Sequence, residues 1–311
     1  MEKLLIRGID TLIGSNLALA LSDRVEVVGL ASDSSFQLAG GKSIACDLDN
    51  SDETSYHVLA EAPALTIYCG PLSAASWDFL PESQPDGEHE GRLAKAFAHA
   101  AAKAQSACVI VTTDALFAGP RMFHAETSRR TADHHVAQAA SACEQAVAES
   151  AALIVRTHAY GWSPAGAASC FAERVSEQLA SGAICHVDAQ NHATPILASD
   201  LAELIWRATQ AGLTGVYHAT GAERTSQYRF AAELAAALGL TGRQTQLETS
   251  TRLDQRPFVV ETSLNTRALR RALELPLPML RDGLYKFAEQ SATWRSTLQN
   301  ASRKHAAVQA A

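Results

Sequence analysis

Three stretches of this 311-residue chain carry residue types suited to nucleotide and carbonyl chemistry. The first runs from the apolar segment Leu4-Leu5-Ile6 through Gly8 and Gly14 into Ser15-Asn16-Leu17. In a strand-to-helix loop with three glycines, the first allows the tight turn, the second lets backbone approach a pyrophosphate, and the third lets helix and strand pack closely. The anion then sits on the helix N-terminus. Gly8 and Gly14 hold the outer positions, with Ile13 beside them, and Thr11 stands in the middle one. A threonine side chain there crowds the phosphate position, which predicts weakened binding. The second stretch ends in Thr112-Thr113-Asp114, where a hydroxyl at a strand end is placed to orient a carbonyl or to cap a turn. The third is His134-His135 at the start of an alanine-rich helix; histidine is a competent proton donor near neutral pH.

Further marks of a dinucleotide site are incomplete. The acidic residue that takes the adenosine ribose hydroxyls is expected about 20 residues beyond the loop, where Ala31 stands. Asp33 is near enough to substitute, and no arginine follows it to meet a 2′-phosphate. Asp47 and Leu48 are placed to meet an adenine, although an aspartate at a strand end also serves as a turn or cap residue.

These residues need a scaffold, and the pattern supplies one. Short apolar, β-branched runs at residues 3–7, 25–30, 43–46, 65–69, 108–112 and 153–157 read as strands. Alanine-rich segments at 91–103 and 131–149 between them read as helices. Strand and helix in alternation predict right-handed crossovers and a doubly wound parallel sheet, an α/β Rossmann architecture. We place this nucleotide-binding domain at residues 1–162 and a smaller substrate-type lobe at 163–311, where prolines and glycines break the pattern. The chain is expected to return to the main sheet within 198–220 through Gly215-Val216-Tyr217-His218.

Composition excludes several classes. A net charge of −7 with 26 scattered basic residues leaves no nucleic-acid footprint. Six cysteines with no C-x-x-C pair predict buried thiols in a reducing compartment rather than a disulfide framework. The histidines show no ligand-like pairing, so no metal is expected. No apolar run approaches about 18 residues, so neither a membrane span nor a signal peptide is expected, and the reading is a cytoplasmic protein.

The order of motifs resembles the dTDP-4-dehydrorhamnose reductase family of extended short-chain dehydrogenases over nearly the whole chain. The resemblance rests on Gly8-x5-Gly14-Ser15-Asn16-Leu17, Cys46-Asp47-Leu48, the run Thr112-Thr113-Asp114-Ala115-Leu116-Phe117, Glu126, Glu144 and Arg156-Thr157. It continues through Ala193-Thr194-Pro195, Ser199-Asp200-Leu201-Ala202, Gly215-Val216-Tyr217-His218, Arg256-Pro257 and Ser263-Leu264-Asn265-Thr266. It implies a Rossmann domain, a lobe that closes over a nucleotide-sugar, and reduction of a 4-keto sugar by NADPH or NADH. It implies Thr113 as the carbonyl-orienting residue, and Thr194 and Arg256 as substrate contacts, with Arg156 and the Arg267, Arg270, Arg271 group as further pyrophosphate candidates. It also implies a proton-donating tyrosine with a lysine four residues on, a spacing that stacks both on one helix face. Counted from Glu126 and Glu144, those positions hold Val136 and Ala140.

No other copy of the pair exists. The six tyrosines are followed four residues on by Ala60, Leu72, Pro164, Gly221, Ala232 and Glu289. Loss of a general acid costs about 10²–10⁴ in rate, so ordinary ketone reduction is expected to be impaired. Two readings follow: an enzyme with altered chemistry that uses His135, Thr113 or the substrate itself for proton transfer, or a non-catalytic sugar-nucleotide- or partner-binding regulatory subunit on the same fold. The apolar surface of helix 131–149 (Val136, Ala139, Ala140, Cys143, Ala146, Val147) suits either a homodimer interface or packing within its own subunit.

Overall fold

The computed structural model describes all residues except 1, 34, 39, 81–82, 241–246, 250–260 and 302–311. Arg256, and the alanine-rich tail beyond Ala301, lie outside the described residues. The first half lays down β1 (Lys3–Arg7), α1 (Leu12–Leu21), β2 (Glu26–Ala31), β3 (Gly41–Ala45), α2 (Ser51–Glu61) and β4 (Leu65–Tyr68). There follow α3 (Gly87–Lys103), β5 (Ala107–Thr113), α4 (His135–Val147), β6 (Leu153–Thr157) and the short β7 (Ala159–Tyr160). The second half contributes α5 (Phe171–Ser181), β8 (Cys185–Val187), β9 (His192–Ala193), β10 (Ile196–Leu197), α6 (Ala198–Gln210) and β11 (Gly215–His218). It ends with β12 (Thr225–Ser226), α7 (Gln227–Ala237), β13 (Leu247–Thr249), α8 (Arg267–Leu273), α9 (Leu280–Gln290) and α10 (Trp294–Asn300).

The main sheet is parallel throughout, in the order β3-β2-β1-β4-β5-β6-β11. This is the doubly wound order, and it reverses direction between β1 and β4, where a crevice opens beyond the strand ends. The runs read as strands from the sequence are strands here, and Gly215–His218 does join this sheet, beside β6. Because both faces are covered, the inner strands β1, β2, β4, β5 and β6 are apolar on both sides, whereas the edge strands β3 and β11 are only partly buried. Leu4, Ile6, Val27 and Val109 pack with Ile13, Leu17 and Leu201 of α1 and α6. Leu5, Ile110 and Ile154 pack with Leu93, Phe97, Val136 and Ala140 of α3 and α4.

Helix α4 begins at His135 rather than near 131, because the His134 side chain accepts the Ala137 N–H at 3.1 Å and fixes the start. Its apolar stripe is covered within the subunit. Val136, Ala139, Ala140, Cys143 and Val147 are buried, and Gly87 and Gly91 of α3 lie against Ala139, Ala142 and Ala146. The stripe offered above as a dimer face is therefore intrachain packing. The second half is tied to the first near the loop: Asn16 Nδ2 of α1 donates to the Trp162 carbonyl at 2.7 Å, and Trp162 stacks on Phe287 of α9 at 4.1 Å. All six cysteines are buried and unpaired, and no helix among the described residues is long and apolar enough to cross a membrane.

Candidate nucleotide site

A cleft of about 1870 Å³ opens along the carboxyl ends of β1 to β4 and extends across to α5. Among the predicted residues it is lined by Thr11, Ile13, Asp33, Asp47 and Leu48. Gly8 and Gly14 shape it from below. Gly8 has φ +76°, and a Cβ there would lie 2.0 Å from the Cys69 carbonyl oxygen; a Cβ on Gly14 would lie 2.1 Å from the Gly8 carbonyl oxygen. Both positions exclude a side chain, one by conformation and space and the other by space alone.

Thr11 has a role of its own. It is the N-cap of α1: its hydroxyl accepts the Gly14 N–H at 3.1 Å and donates to the Gly8 carbonyl at 2.7 Å. Its own N–H donates to the Gly8 carbonyl. Of the four donors that a helix start leaves without an intrahelical partner, Leu12 and Ile13 therefore remain to face an anion, and both residues line the cleft.

One carboxylate at the ribose end was not foreseen from the sequence. Asp10, inside the glycine loop, accepts the Ser32 N–H at 2.8 Å, the Ser32 hydroxyl at 2.6 Å and the Asp33 N–H at 3.3 Å. It thereby supplies an acid at the end of β2, where Ala31 is buried and cannot. Asp33 is exposed; hydrogen bonds from the Ser35 hydroxyl and N–H hold its carboxyl below the usual range. Asp47 is exposed at the end of β3, and the Leu48 carbonyl accepts from Arg7 Nη2 at 2.7 Å. Among the described residues, the arginines lining the cleft are Arg7 and Arg174, and neither belongs to the segment after β2.

The opposite corner is closed. Thr113 is fully buried, its hydroxyl accepting the Ala115 N–H at 3.1 Å as the cap of a short turn, and it does not line the cleft. Val136 and Ala140 are fully buried in the core between sheet and α3. The loop after β4 crosses this corner. Ser76 donates its N–H to Asp114 Oδ1 at 2.9 Å and its hydroxyl to Oδ2 at 2.7 Å, and His158 Nδ1 meets Oδ2 at 2.7 Å. Thr262 Oγ1 lies 3.2 Å from the Ser76 hydroxyl, and Trp77 sets its ring edge against His158 at 4.5 Å.

Burial pushes Asp114 up, but the His158 charge and the hydrogen bonds from His158, Thr262 and Ser76 outweigh it and hold the carboxyl below its usual range. An ionised Asp114 accepts from both neighbours, which assigns the proton of His158 to Nδ1. Ser76 and Asp114 meet the same ring nitrogen, so this is a closed junction and not a nucleophile relay, in which the serine would meet the other nitrogen. Further along the cleft, burial raises Asp78 to about 6 despite the nearby Arg174 and the Phe171 N–H it accepts at 2.6 Å.

The remaining candidates fall elsewhere. His135 is exposed and does not line the cleft, so the structure does not put a replacement acid there. Thr194 is buried and its hydroxyl accepts the Leu264 N–H at 3.2 Å. Arg156 is buried and bound to Glu144 through Nε at 2.9 Å and Nη2 at 2.7 Å, a structural pair rather than a phosphate contact. Arg267, Arg270 and Arg271 line a separate, shallower hollow beside Phe123 and Glu274.

Residues 1–293 match the RmlD substrate binding domain family. The chain belongs to that family. Among curated proteins, no sequence matches it. Solved structures share the fold of this RmlD-family chain at low identity. A dTDP-4-dehydrorhamnose reductase from Bacillus anthracis in complex with NADP is 19% identical, with a TM-score of 0.76 over 94% of this chain and 100% of that one. A hypothetical dTDP-4-dehydrorhamnose reductase from Sulfolobus tokodaii is 20% identical, with a TM-score of 0.73 over 90% and 98%. A Bordetella bronchiseptica enzyme in complex with NAD+ is 16% identical, with a TM-score of 0.74 over 95% and 100%.

Proposed function

We propose that this RmlD-family chain binds a nicotinamide dinucleotide in its cleft but does not turn over a 4-keto nucleotide-sugar, and that it serves as a non-catalytic binding or regulatory subunit. The observation that carries this reading is the asymmetry of the site. The phosphate end retains the glycine cradle, the Leu12 and Ile13 amides and the start of α1. The proton-transfer end has Val136 and Ala140 in the core and Thr113 sealed beneath the Ser76–Asp114–His158 junction.

The residues present fit the phosphates and ribose of such a group. Leu12 and Ile13 would hold the pyrophosphate by backbone donation, Asp10 or Asp33 the ribose hydroxyls, and Asp47 with Leu48 the adenine. When bound, the group supplies a hydride carrier. Two carboxylates at the end of β2, with no cation beside them among the described residues, repel a 2′-phosphate, which supports NAD over NADP.

The test has two arms. Calorimetric titration with NADH and NADPH is expected to show binding, tighter for NADH; no heat at millimolar concentration of either overturns the binding claim. Incubation of the NADH-loaded protein with dTDP-4-dehydrorhamnose is expected to leave the nicotinamide absorbance unchanged. Turnover within about tenfold of an ordinary enzyme, whose typical kcat is 1–10³ s⁻¹, refutes the non-catalytic reading.

A further inference from the structure

We infer that Cys46, Glu53 and His57 form a binding site for a borderline transition metal ion, Zn2+ being the best match, at the outer end of the cleft. Cys46 Sγ, a Glu53 carboxylate oxygen and a His57 ring nitrogen all lie within 4.8 Å of one another. The fold brings them together by two devices. Glu53 and His57 are four residues apart on α2, one turn above each other on the same face. Cys46 follows the last residue of β3, and its amide continues the sheet by donating to the Ala31 carbonyl at 2.9 Å, which fixes the sulfur beneath that helix face.

The donor set decides the ion. One thiolate, one imidazole and one carboxylate suit Zn2+ or Co2+, whereas Mg2+ and Ca2+ take oxygen ligands. Zinc bonds of about 2.0–2.3 Å in a tetrahedron set ligand atoms roughly 3.4–3.6 Å apart. With the atoms within 4.8 Å of one another, no separation has to close by more than about 1.3 Å to reach that spacing, which the half-buried Glu53 and His57 side chains can accommodate by rotation. Cys46 is buried, so its sulfur is the fixed point. Its present neighbours are weak ones: Thr54 Oγ1 at 3.9 Å and the Asp47 carbonyl at 3.7 Å.

Three protein ligands leave a fourth position, the arrangement that keeps a zinc site open to water or ligand. Cys46 and Glu53 both line the cleft, so that position is filled from it. No histidine pair marks the site in the chain, because it mixes ligand types and draws one of them from the residue after β3, seven residues before Glu53.

Metal binding at this site does not require a bound nucleotide. Titration of the full chain with Co2+ is expected to produce one equivalent of a thiolate-to-cobalt charge-transfer band in the near ultraviolet, displaced by Zn2+ and unaffected by excess Mg2+. Cys46→Ser should abolish the band, and His57→Ala and Glu53→Ala should each weaken Zn2+ binding at least tenfold by calorimetry, with unchanged far-ultraviolet circular dichroism. The other five cysteines are buried away from this cluster. A band that persists in Cys46→Ser, or Zn2+ affinity unchanged in both His57→Ala and Glu53→Ala, overturns the proposal, as does the absence of any band in the parent chain.

Discussion

Lowering the pH from about 7.5 to about 5 should cost this protein stability, with His218 as the largest histidine contribution. It ends β11 and is fully buried. Nδ1 lies 3.2 Å from the Asn265 carbonyl and Nε2 3.3 Å from Arg156 Nη1. The neutral ring satisfies both, Nδ1–H donating and Nε2 accepting; a second proton would point at the guanidinium. Burial first, and the Arg156 charge second, push the pKa from 6.5 down to about 3. The unfolded chain binds a proton below about 6.5 and the folded chain does not. The contribution is therefore complete above that value and drains away as pH falls toward 3. At pH 5 the unfolded histidine is about thirty times more protonated than neutral, which amounts to about 2 kcal/mol. Urea unfolding at both pH values, for the parent and His218→Gln, checks it. The glutamine keeps a donor and an acceptor but does not titrate. His124 and His134, whose pKa values burial also lowers, act in the same direction in both proteins and cancel in the comparison, as does Asp78 acting in the opposite one. The loss between the two pH values should be about 2 kcal/mol smaller in the variant. Equal losses would refute the argument that a neutral, Arg156-facing ring is what the fold requires.

Three substitutions extend the same reasoning. Glu144→Gln removes the carboxylate that accepts from Arg156, from Arg130 at 2.8 Å and from Thr112 at 2.9 Å, leaving a buried guanidinium without its counter-charge; the expected loss is about 3–5 kcal/mol by chemical denaturation. Gly87→Ala puts a methyl 2.5 Å from the Ala139 Cα and should separate α3 from α4. It is expected to destabilise by about 1–3 kcal/mol even though alanine favours a helix. Val136→Tyr with Ala140→Lys introduces, at two fully buried positions, the residue types that the family resemblance implies there. The double variant should melt at lower temperature and gain no ketoreductase activity, and appearance of activity would show that this corner opens.

How much of this was legible beforehand depended on whether a feature is local. The inner strands were, because a run buried on both faces must be apolar at consecutive positions, and Leu4, Leu5 and Ile6 announce that without any partner. Gly8 and Gly14 were, since backbone freedom and close approach are properties of single residues. That no tyrosine is followed four residues on by a lysine was as well, because an absence can be counted. What escaped depends on register. Asp10 reaches Ser32 and Asp33 only because β1 and β2 pair in parallel with Arg7 beside Leu30, and nothing local marks that aspartate. Ser76, Asp114, His158 and Thr262 come from four separate segments, with 38 residues between the first two and 186 between the first and last, and meet only where the strands end. The apolar face of α4 is the instructive intermediate. Its composition left open whether a second copy or its own subunit covers it, yet the deciding signal was in the chain. Gly87 and Gly91 are four apart on α3, a pair with no side chain on one face, and a face without side chains is what Ala139, Ala142 and Ala146 require to pack at backbone distance. Reading α3 for what it lacks, rather than α4 for what it offers, identifies the cover.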